Sequence, residues 1–180
     1  MSGKQEPPPA RGRLSRDRIL AAARAIAAAE GLGAVSMRRL GYELDVWPMS
    51  LYRHFRDKDE LLDAIVDSAA DEIAAPAGGS WRTRLTRLLA DTHAMLGEDP
   101  EGLRTRFPRA LETDGMVRVR EAATAILTDA GLGAEDAAAT WRALLAYAVG
   151  FAGLGGGEGE FEHGLELVLD GVEARLGAIA

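Results

Sequence analysis

The stretch SMRRLGYELDVWPMSLYRHF, residues 36–55, contains two short helical patterns joined by a tight turn. Ser36 can cap a helix that ends near Leu44, and Pro48 suits the first position of a second helix that ends near Phe55. Two helices joined in this way predict a helix-turn-helix, the motif that places its second helix in the major groove of DNA.

Apolar and polar side chains alternate in this stretch with helical spacing. The residues spaced to pack both helices onto the preceding one are Leu40, Leu44, Val46, Leu51 and Phe55. The residues left projecting outward near the start of the second helix are Met49, Ser50, Tyr52, Arg53 and His54. Hydroxyl and guanidinium groups suit phosphates and base edges, and methyl-bearing groups suit the thymine methyl.

Helix caps and helical apolar spacing recur along the rest of the chain, which predicts an all-α fold of about nine helices. We expect a disordered basic arm at residues 1–13. A three-helix head with its linking fourth helix is expected at 14–74, and a larger helical body at 75–180, beyond the Pro- and Gly-containing boundary at 75–80. The helices of the head are expected near 15–31, 36–44, 48–55 and 57–74. Those of the body are expected near 81–96, 99–108, 113–131, 135–151 and 161–176.

Charge is distributed unevenly along the 180 residues, whose formal net charge is −7. Residues 1–60 hold 11 of the 21 Lys and Arg residues but 8 of the 28 Asp and Glu residues. The first third of the chain is therefore basic and the remainder strongly acidic, which has two interpretations: an end that faces a nucleic acid, or a merely uneven distribution of charge. With no cysteine in the chain, a disulfide framework, a thiolate zinc site and a thiol nucleophile are excluded.

The apolar segments bear on where the protein works. We find no apolar run that approaches the roughly 18 residues of a membrane-spanning helix. The opening segment MSGKQEPPPARGR lacks the apolar stretch of a signal peptide. We therefore expect a cytoplasmic protein with no membrane partner.

Several segments together resemble the DNA-binding head of TetR-type transcriptional regulators. They are residues 15–23 (SRDRILAAA), 30–31 (EG), 36–40 (SMRRL), 48–55 (PMSLYRHF) and 57–62 (DKDELL). The resemblance covers residues 15–66 strongly, and residues 161–171 also resemble the last helix of a subgroup of the family. It implies a ligand-responsive homodimeric repressor that binds a palindromic double-stranded DNA operator and is released from it by a small molecule.

The resemblance also implies which residues contact DNA. At the start of the first helix of the motif they are Ser36, Met37 and Arg38, where an arginine can bind guanine. Those at the entry of the recognition helix are Trp47, Pro48, Met49 and Ser50. The family's phosphate-binding Tyr, His and Lys correspond to Tyr52, His54 and Lys58.

Two residues depart from the family pattern. Asp45 stands where glycine is usual, at a turn position that requires a left-handed backbone. Trp47 is bulky where polar residues are common, and two orientations are open for it: contact with bases, or an inward position. Both departures bear on which operator is bound.

In the body, aromatic residues and methionines at helical spacing have two interpretations: a plain core, or the wall of an effector cavity. The candidate ligand-binding residues are Trp81, His93, Phe107, Met116, Trp141, Tyr147 and Phe151. The last two helices carry broad apolar faces, which are either intramolecular core or the homodimer interface that the resemblance implies. We expect no cofactor and no bound metal, since the three histidines are not paired at helical spacing.

Two alternatives to a repressor remain. A helical protein-interaction module with weak or lost specific DNA binding is favoured by Asp45 and Trp47. A helical enzyme is the other, but no nucleophile in the sequence has a visible base and orienting partner.

Overall fold

The computed structural model describes residues 13–97 and 108–178. Within them the chain forms eight α-helices and one short 3-10 helix, Leu32–Ala34, with residues 108–110 helical beside the gap. The first four α-helices are α1 (Arg16–Glu30), α2 (Met37–Leu44), α3 (Pro48–Leu51) and α4 (Lys58–Ala70). The other four are α5 (Trp81–Gly97), α6 (Asp114–Asp129), α7 (Ala134–Leu154) and α8 (Glu158–Gly177). The expected all-α class is confirmed.

Side-chain caps start several of these helices where the sequence places Ser, Thr or Asp. The Ser15, Ser36 and Thr113 hydroxyls accept hydrogen bonds from the backbone amides of Arg18, Arg39 and Met116, at the starts of α1, α2 and α6. The Asp57 carboxylate accepts one from the Glu60 amide at 2.7 Å and starts α4. Because such caps satisfy amides that have no partner inside the helix, they fix the helix starts at the expected residues.

The head is a small bundle in which α1 packs against α2 and α4, and α2 packs against α3. Its centre is apolar and closed to solvent. The buried side chains there are Ile19, Ala23, Val35, Leu40, Leu51, Phe55 and Leu61. In the body, α7 packs against both α5 and α6, and α8 packs against α5 and α7.

Helix α4 belongs to both parts of the molecule, because it packs on α1 of the head and on α6 of the body. At this joint the Gly115 amide donates a 2.5 Å hydrogen bond to the Asp67 carboxylate. A Cβ atom at Gly115 would lie 2.7 Å from the Asp67 carbonyl oxygen and 2.8 Å from the Ala70 methyl group, so only glycine permits this approach. Two ion pairs flank the contact: Arg109 with Asp63 at 2.5 Å, and Arg118 with Asp71.

Three helix ends differ from the sequence-based expectation. Helix α3 ends at Leu51 rather than near Phe55, because residues 52–54 form a turn in which the His54 and Phe55 amides both donate to the Leu51 carbonyl. Helix α4 ends at Ala70 rather than 74, where the Glu72 and Ile73 amides turn back onto the carbonyls three residues earlier. Helix α7 continues to Leu154, where Gly155 takes a left-handed backbone with φ of 69°. The expected sixth helix, near 99–108, and the arm at 1–13 lie almost wholly outside the described residues.

By length and composition alone, α7 is apolar enough to cross a membrane. The expectation that no apolar segment approaches that length is therefore wrong as a statement about composition. Core helices of soluble proteins meet the same criterion, and α7 buries Trp141, Leu144 and Ala148 inside the body. Only 28% of its most apolar window is covered by this chain, however, which leaves an apolar surface along the helix.

Candidate nucleic-acid interface

The position of α3 is set by a close approach to α2. A Cβ atom at Gly41 would lie 2.9 Å from the Val46 carbonyl oxygen and 3.1 Å from the Pro48 ring. Glycine therefore allows the turn and the start of α3 to lie directly against α2. Gly41 is not among the residues predicted from the sequence; its signal is a glycine inside the first helix of the motif, one turn before that helix ends.

Asp45 ends α2 in the left-handed conformation that the turn requires, with φ of 54° and ψ of 49°. It is the one residue other than glycine with a positive φ among residues 13–97 and 108–178. A left-handed backbone costs an ordinary L-residue roughly 1–2 kcal/mol, and aspartate tolerates it better than most. The departure from glycine at this position therefore leaves the geometry of the turn intact.

The end of the recognition segment is held by Arg16 from α1. The Arg16 guanidinium donates to the His54 carbonyl at 2.6 Å and to the Glu60 carboxylate at 3.0 Å. The same guanidinium lies 4.1 Å from the centre of the buried Phe55 ring, which places a cation over an aromatic face. One side chain therefore joins α1, the turn after α3 and the start of α4.

Glu60 completes this connection. Its carboxylate accepts hydrogen bonds from the backbone amide of Arg56 at 2.8 Å and from the Arg56 guanidinium at 3.1 Å. The Arg56 amide contributes most to lowering the pKa of Glu60 below its usual range, and Arg16 lowers it further, while partial burial acts in the opposite direction. The Asp57 carboxylate thus caps α4 through the Glu60 amide, while the Glu60 side chain binds Arg56 and not the cap residue.

The predicted DNA-contact residues differ in exposure. Arg38, Trp47, Met49, Tyr52 and Lys58 are exposed, and Trp47 points outward with 83% of its surface accessible, which excludes the inward orientation. The half-buried members of the set are Ser36, Pro48, Ser50 and His54.

Met37 is the exception among the predicted contacts. Its side chain is 6% exposed and belongs to the apolar core of the head. The assignment of the Met37 side chain as a DNA contact is therefore corrected, because it lies on the same helical stripe as Leu40 and Leu44 and packs inward with them. The other assignments stay predictions.

The cations near the predicted DNA-contact residues fall into two groups. Arg39 is neutralised locally, since its guanidinium binds both carboxylate oxygens of Glu30 at 2.8 and 3.1 Å. Arg38, Arg53 and Lys58, by contrast, make no ion pair with another residue in the part of the chain that the structure describes. These three charges are available to phosphate groups or base edges.

Three of the predicted ligand-binding residues meet in the body. His93 stacks on Phe161 with a centroid distance of 3.8 Å, and the Tyr147 and Phe151 rings lie 5.4 and 5.6 Å from Phe161. The Tyr147 hydroxyl donates to the Phe161 carbonyl at 2.8 Å, and burial lowers the pKa of His93. Phe161, absent from the predicted set, is the centre of this aromatic cluster.

The other predicted ligand-binding residues lie elsewhere. Met116 and Trp141 are buried in the core, with 3% and 2% exposure, which corresponds to the plain-core interpretation. Trp81 is half-buried at the start of α5, and Phe107 lies outside the described residues. Among residues 13–97 and 108–178, no group of His, Asp and Glu is placed to hold a metal ion.

Two family models match the chain, one on each part of the molecule. The model described as bacterial regulatory proteins of the tetR family matches residues 19–65, and that of the tetracyclin repressor-like C-terminal domain matches residues 74–154. The first match covers the head and most of α4, and the second covers α5 to α7.

Individual relatives agree with these matches. The repressor DrrR1 of Streptomyces coeruleorubidus is 38% identical over 113 residues, covering 59% of this chain and 42% of its own length. The structure of BioQ with its double-stranded DNA operator superposes with a TM-score of 0.78 and 27% identity, covering 90% of this chain and 99% of BioQ. ActR of Streptomyces coelicolor in complex with (S)-DNPA superposes at 0.75 with 25% identity, covering 94% and 100%.

The chain spans 59% and 42% of the lengths of the first two curated relatives it matches, both of which are transcriptional regulators rather than enzymes. The two family models match the helix-turn-helix head and the helical body behind it. These matches lead to one assignment. The chain belongs to the TetR family of bacterial transcriptional regulators.

Proposed function

We propose that this protein is a homodimeric repressor that binds a palindromic DNA operator through its helix-turn-helix and is released by a small-molecule effector. The observation that carries the proposal is the outward face of the head. On it, Arg38, Trp47, Met49, Tyr52 and Lys58 are all exposed around a recognition helix that is fixed from behind by Arg16 and Glu60. The BioQ operator complex supports DNA as the partner, and the strongly acidic charge of residues 61–180 disfavours DNA contact by the body.

DNA binding is tested by fluorescence anisotropy on the region upstream of the protein's own gene. We expect Tyr52→Ala and Lys58→Ala to weaken binding, and Lys58→Ala to lower the slope of log affinity against log salt by about 1 per head. Arg87→Ala, which removes an exposed arginine from α5, is the matched control and should bind as tightly as the wild type. Equal affinities for all four proteins would contradict the site assignment.

We propose that the homodimer interface is formed by the last two helices, α7 and α8. Leu154 and Leu167 on these helices are exposed by 84% and 61%, and much of the apolar surface of α7 is uncovered within one chain. A two-fold pair would bury this surface and place two heads on the two half-sites of a palindrome. Light scattering should show a dimer that Leu167→Glu converts to a monomer, while Ala125→Glu on the exposed side of α6 leaves it intact.

The effector is proposed to enter the body beside the aromatic cluster of His93, Tyr147, Phe151 and Phe161. The ActR complex with (S)-DNPA supports a small-molecule partner, and α4 provides the connection from body to head through Asp67 and Gly115. A compound that raises the melting temperature should also release DNA, and DNA should weaken its binding by the same factor. Phe151→Ala should reduce the thermal shift without changing DNA affinity in the absence of the compound.

We place this activity in the cytoplasm, where bacterial DNA is reached without crossing a membrane. The alternative function is a helical protein-interaction module. It would be favoured if the full chain selected no specific duplex from a library of random oligonucleotides.

A further inference from the structure

Large apolar side chains are concentrated on the outward face of the head. Six such residues are exposed among residues 13–97 and 108–178, and four of them lie within eleven positions: Tyr42, Trp47, Met49 and Tyr52. Tyr42, Trp47 and Met49 are 85%, 83% and 73% accessible. Scattered single residues of this kind are ordinary, but a concentration on one small motif marks a binding surface.

Tyr42 and Trp47 face a common groove of about 510 Å³ between α2 and the start of α3. The same groove is also lined by Arg38, Gly41, Asp45, Val46 and Pro48. The groove therefore presents two aromatic side chains together with the Arg38 guanidinium and the Asp45 carboxylate. Arg38, Arg53 and Lys58 are exposed on the head and make no ion pair among the described residues, so these charges and the exposed aromatic side chains favour a polyanion with apolar features as the occupant.

Local structure also shows that Trp47 is not placed there for folding. It is the residue preceding the first turn of α3, where Ser, Thr, Asp or Asn would normally cap the helix, and its side chain makes no capping hydrogen bond. Replacing a good cap typically costs about 1 kcal/mol. Trp47 is therefore a poor helix cap that gains no packing in exchange, which points to a role in binding.

The major groove of DNA presents one apolar feature, the C5-methyl group of thymine, beside donors and acceptors. The first residues of a recognition helix are those that approach base edges. An exposed indole at this position cannot form the bidentate pairs that Arg, Asn or Gln make with bases, but it can cover a methyl group.

We propose that Trp47, flanked by Tyr42 and Met49, is a specificity-determining residue that recognises the 5-methyl group of a thymine in each half-site. The inference rests on the proposed DNA-binding function and names what that site recognises. Arg38, in the same groove, supplies the adjacent polar contact.

The test uses the full chain and a duplex that it selects from random oligonucleotides. Each thymine of the half-site is replaced in turn, on both half-sites, by deoxyuridine, which removes only the methyl group. We expect at least one replacement to weaken wild-type binding by about fourfold per methyl group, the value for one buried methylene. Trp47→Ala should weaken binding to the thymine duplex and abolish the difference between thymine and deoxyuridine at that position.

Lys58→Ala is the matched control, because loss of a phosphate contact should weaken binding to both duplexes equally and keep their ratio. Circular dichroism should show that Trp47→Ala is folded, as expected for so exposed a side chain. If wild-type protein binds thymine and deoxyuridine duplexes equally at every position, or if Trp47→Ala keeps the ratio, the inference is wrong while the proposed function stands. Failure to select any duplex would remove the proposed function and the inference together.

Discussion

The Arg16 guanidinium and the backbone carbonyl of His54 are joined by a 2.6 Å hydrogen bond, so the first helix holds the end of the recognition segment. The contact is made by a charged donor to a main-chain acceptor, and it is supported by the Glu60 carboxylate and the Phe55 ring. Helix α3 has only four residues and therefore few hydrogen bonds of its own. Its orientation depends on these neighbours.

Arg16→Ala should weaken DNA binding more than it weakens the fold. We expect a loss of about 1–2 kcal/mol in the free energy of unfolding, from one charged hydrogen bond and one cation–aromatic contact. Operator affinity should fall by about tenfold, or about 1.4 kcal/mol. Urea denaturation and anisotropy measure the two effects.

Arg24→Ala is the control for this prediction. Arg24 on α1 binds Ser68 of α4 at 3.1 Å and Glu72, just after α4, at 2.5 Å, but it does not touch the recognition segment. The Arg24→Ala variant should lose stability without a matching loss of operator affinity. Equal losses of affinity in the two variants would contradict a positioning role for Arg16.

Glu60 should make the head sensitive to acid. Because the pKa of Glu60 is lowered in the folded state, chiefly by the Arg56 amide, the ionised carboxylate stabilises the fold at neutral pH. That contribution is complete above the unfolded-state pKa of about 4.3 and is lost as the pH falls through the folded-state value.

Urea unfolding between pH 7 and pH 3 tests this expectation on the wild type and Glu60→Gln. The wild type should be the more stable at pH 7, and the difference should shrink below about pH 4. A difference that is independent of pH would show that ionisation of Glu60 does not stabilise the head.

Gly115→Ala should disturb the joint between head and body. The new methyl group would lie 2.7 Å from the Asp67 carbonyl, a backbone atom, so α4 and α6 must separate. We expect a loss of roughly 1–3 kcal/mol in stability, typical of overpacking. Effector and DNA binding should become less strongly coupled, as measured by the change in DNA affinity at saturating effector.

Gly133→Ala provides the comparison, because a Cβ atom there meets nothing within 4 Å. It should cost less than about 1 kcal/mol, since alanine is a poorer helix cap than glycine but meets no steric obstacle there. Similar losses in both variants would mean that the approach at Gly115 is not what joins the two parts.

The aromatic cluster should respond to pH through His93. Burial lowers the pKa of His93, against a smaller opposite effect of the Glu158 charge. The unfolded chain therefore binds a proton more readily, and stability should fall as the pH decreases through the unfolded-state value of about 6.5.

His93→Gln should flatten the pH dependence of the melting temperature between pH 7.5 and 5. His163→Gln, at an exposed position on α8, should leave it unchanged. If both variants retain the wild-type profile, protonation of His93 does not affect the fold.

Elements with local signals were predictable from the sequence, and contacts between distant residues were not. Ser36 and Pro48 located the helix-turn-helix because caps and helix-starting prolines act over three or four residues. The hydrogen bond from Gly115 to Asp67 and that from Arg16 to His54 join residues 48 and 38 positions apart. Nothing in the local pattern specifies such pairs.

For Met37, the resemblance to the family and the helical periodicity give different predictions. The family pattern assigned it to DNA, yet its spacing of three and seven residues from Leu40 and Leu44 places it on the buried stripe of α2. Helical periodicity alone would have given the correct position. Phe161 is a comparable case, since its place in the apolar register of α8 did not show that it would stack on His93.

The shortness of α3 has a consequence for how such a protein can change. Leu51 is the one residue of this helix that is buried, so positions 47, 49 and 50 carry little of the stability of the head. New side chains there could change which operator is bound. The contacts of Arg16 and Glu60 and the turn at Asp45 would keep the backbone unchanged. In this architecture the choice of target can diverge without the fold having to be rebuilt.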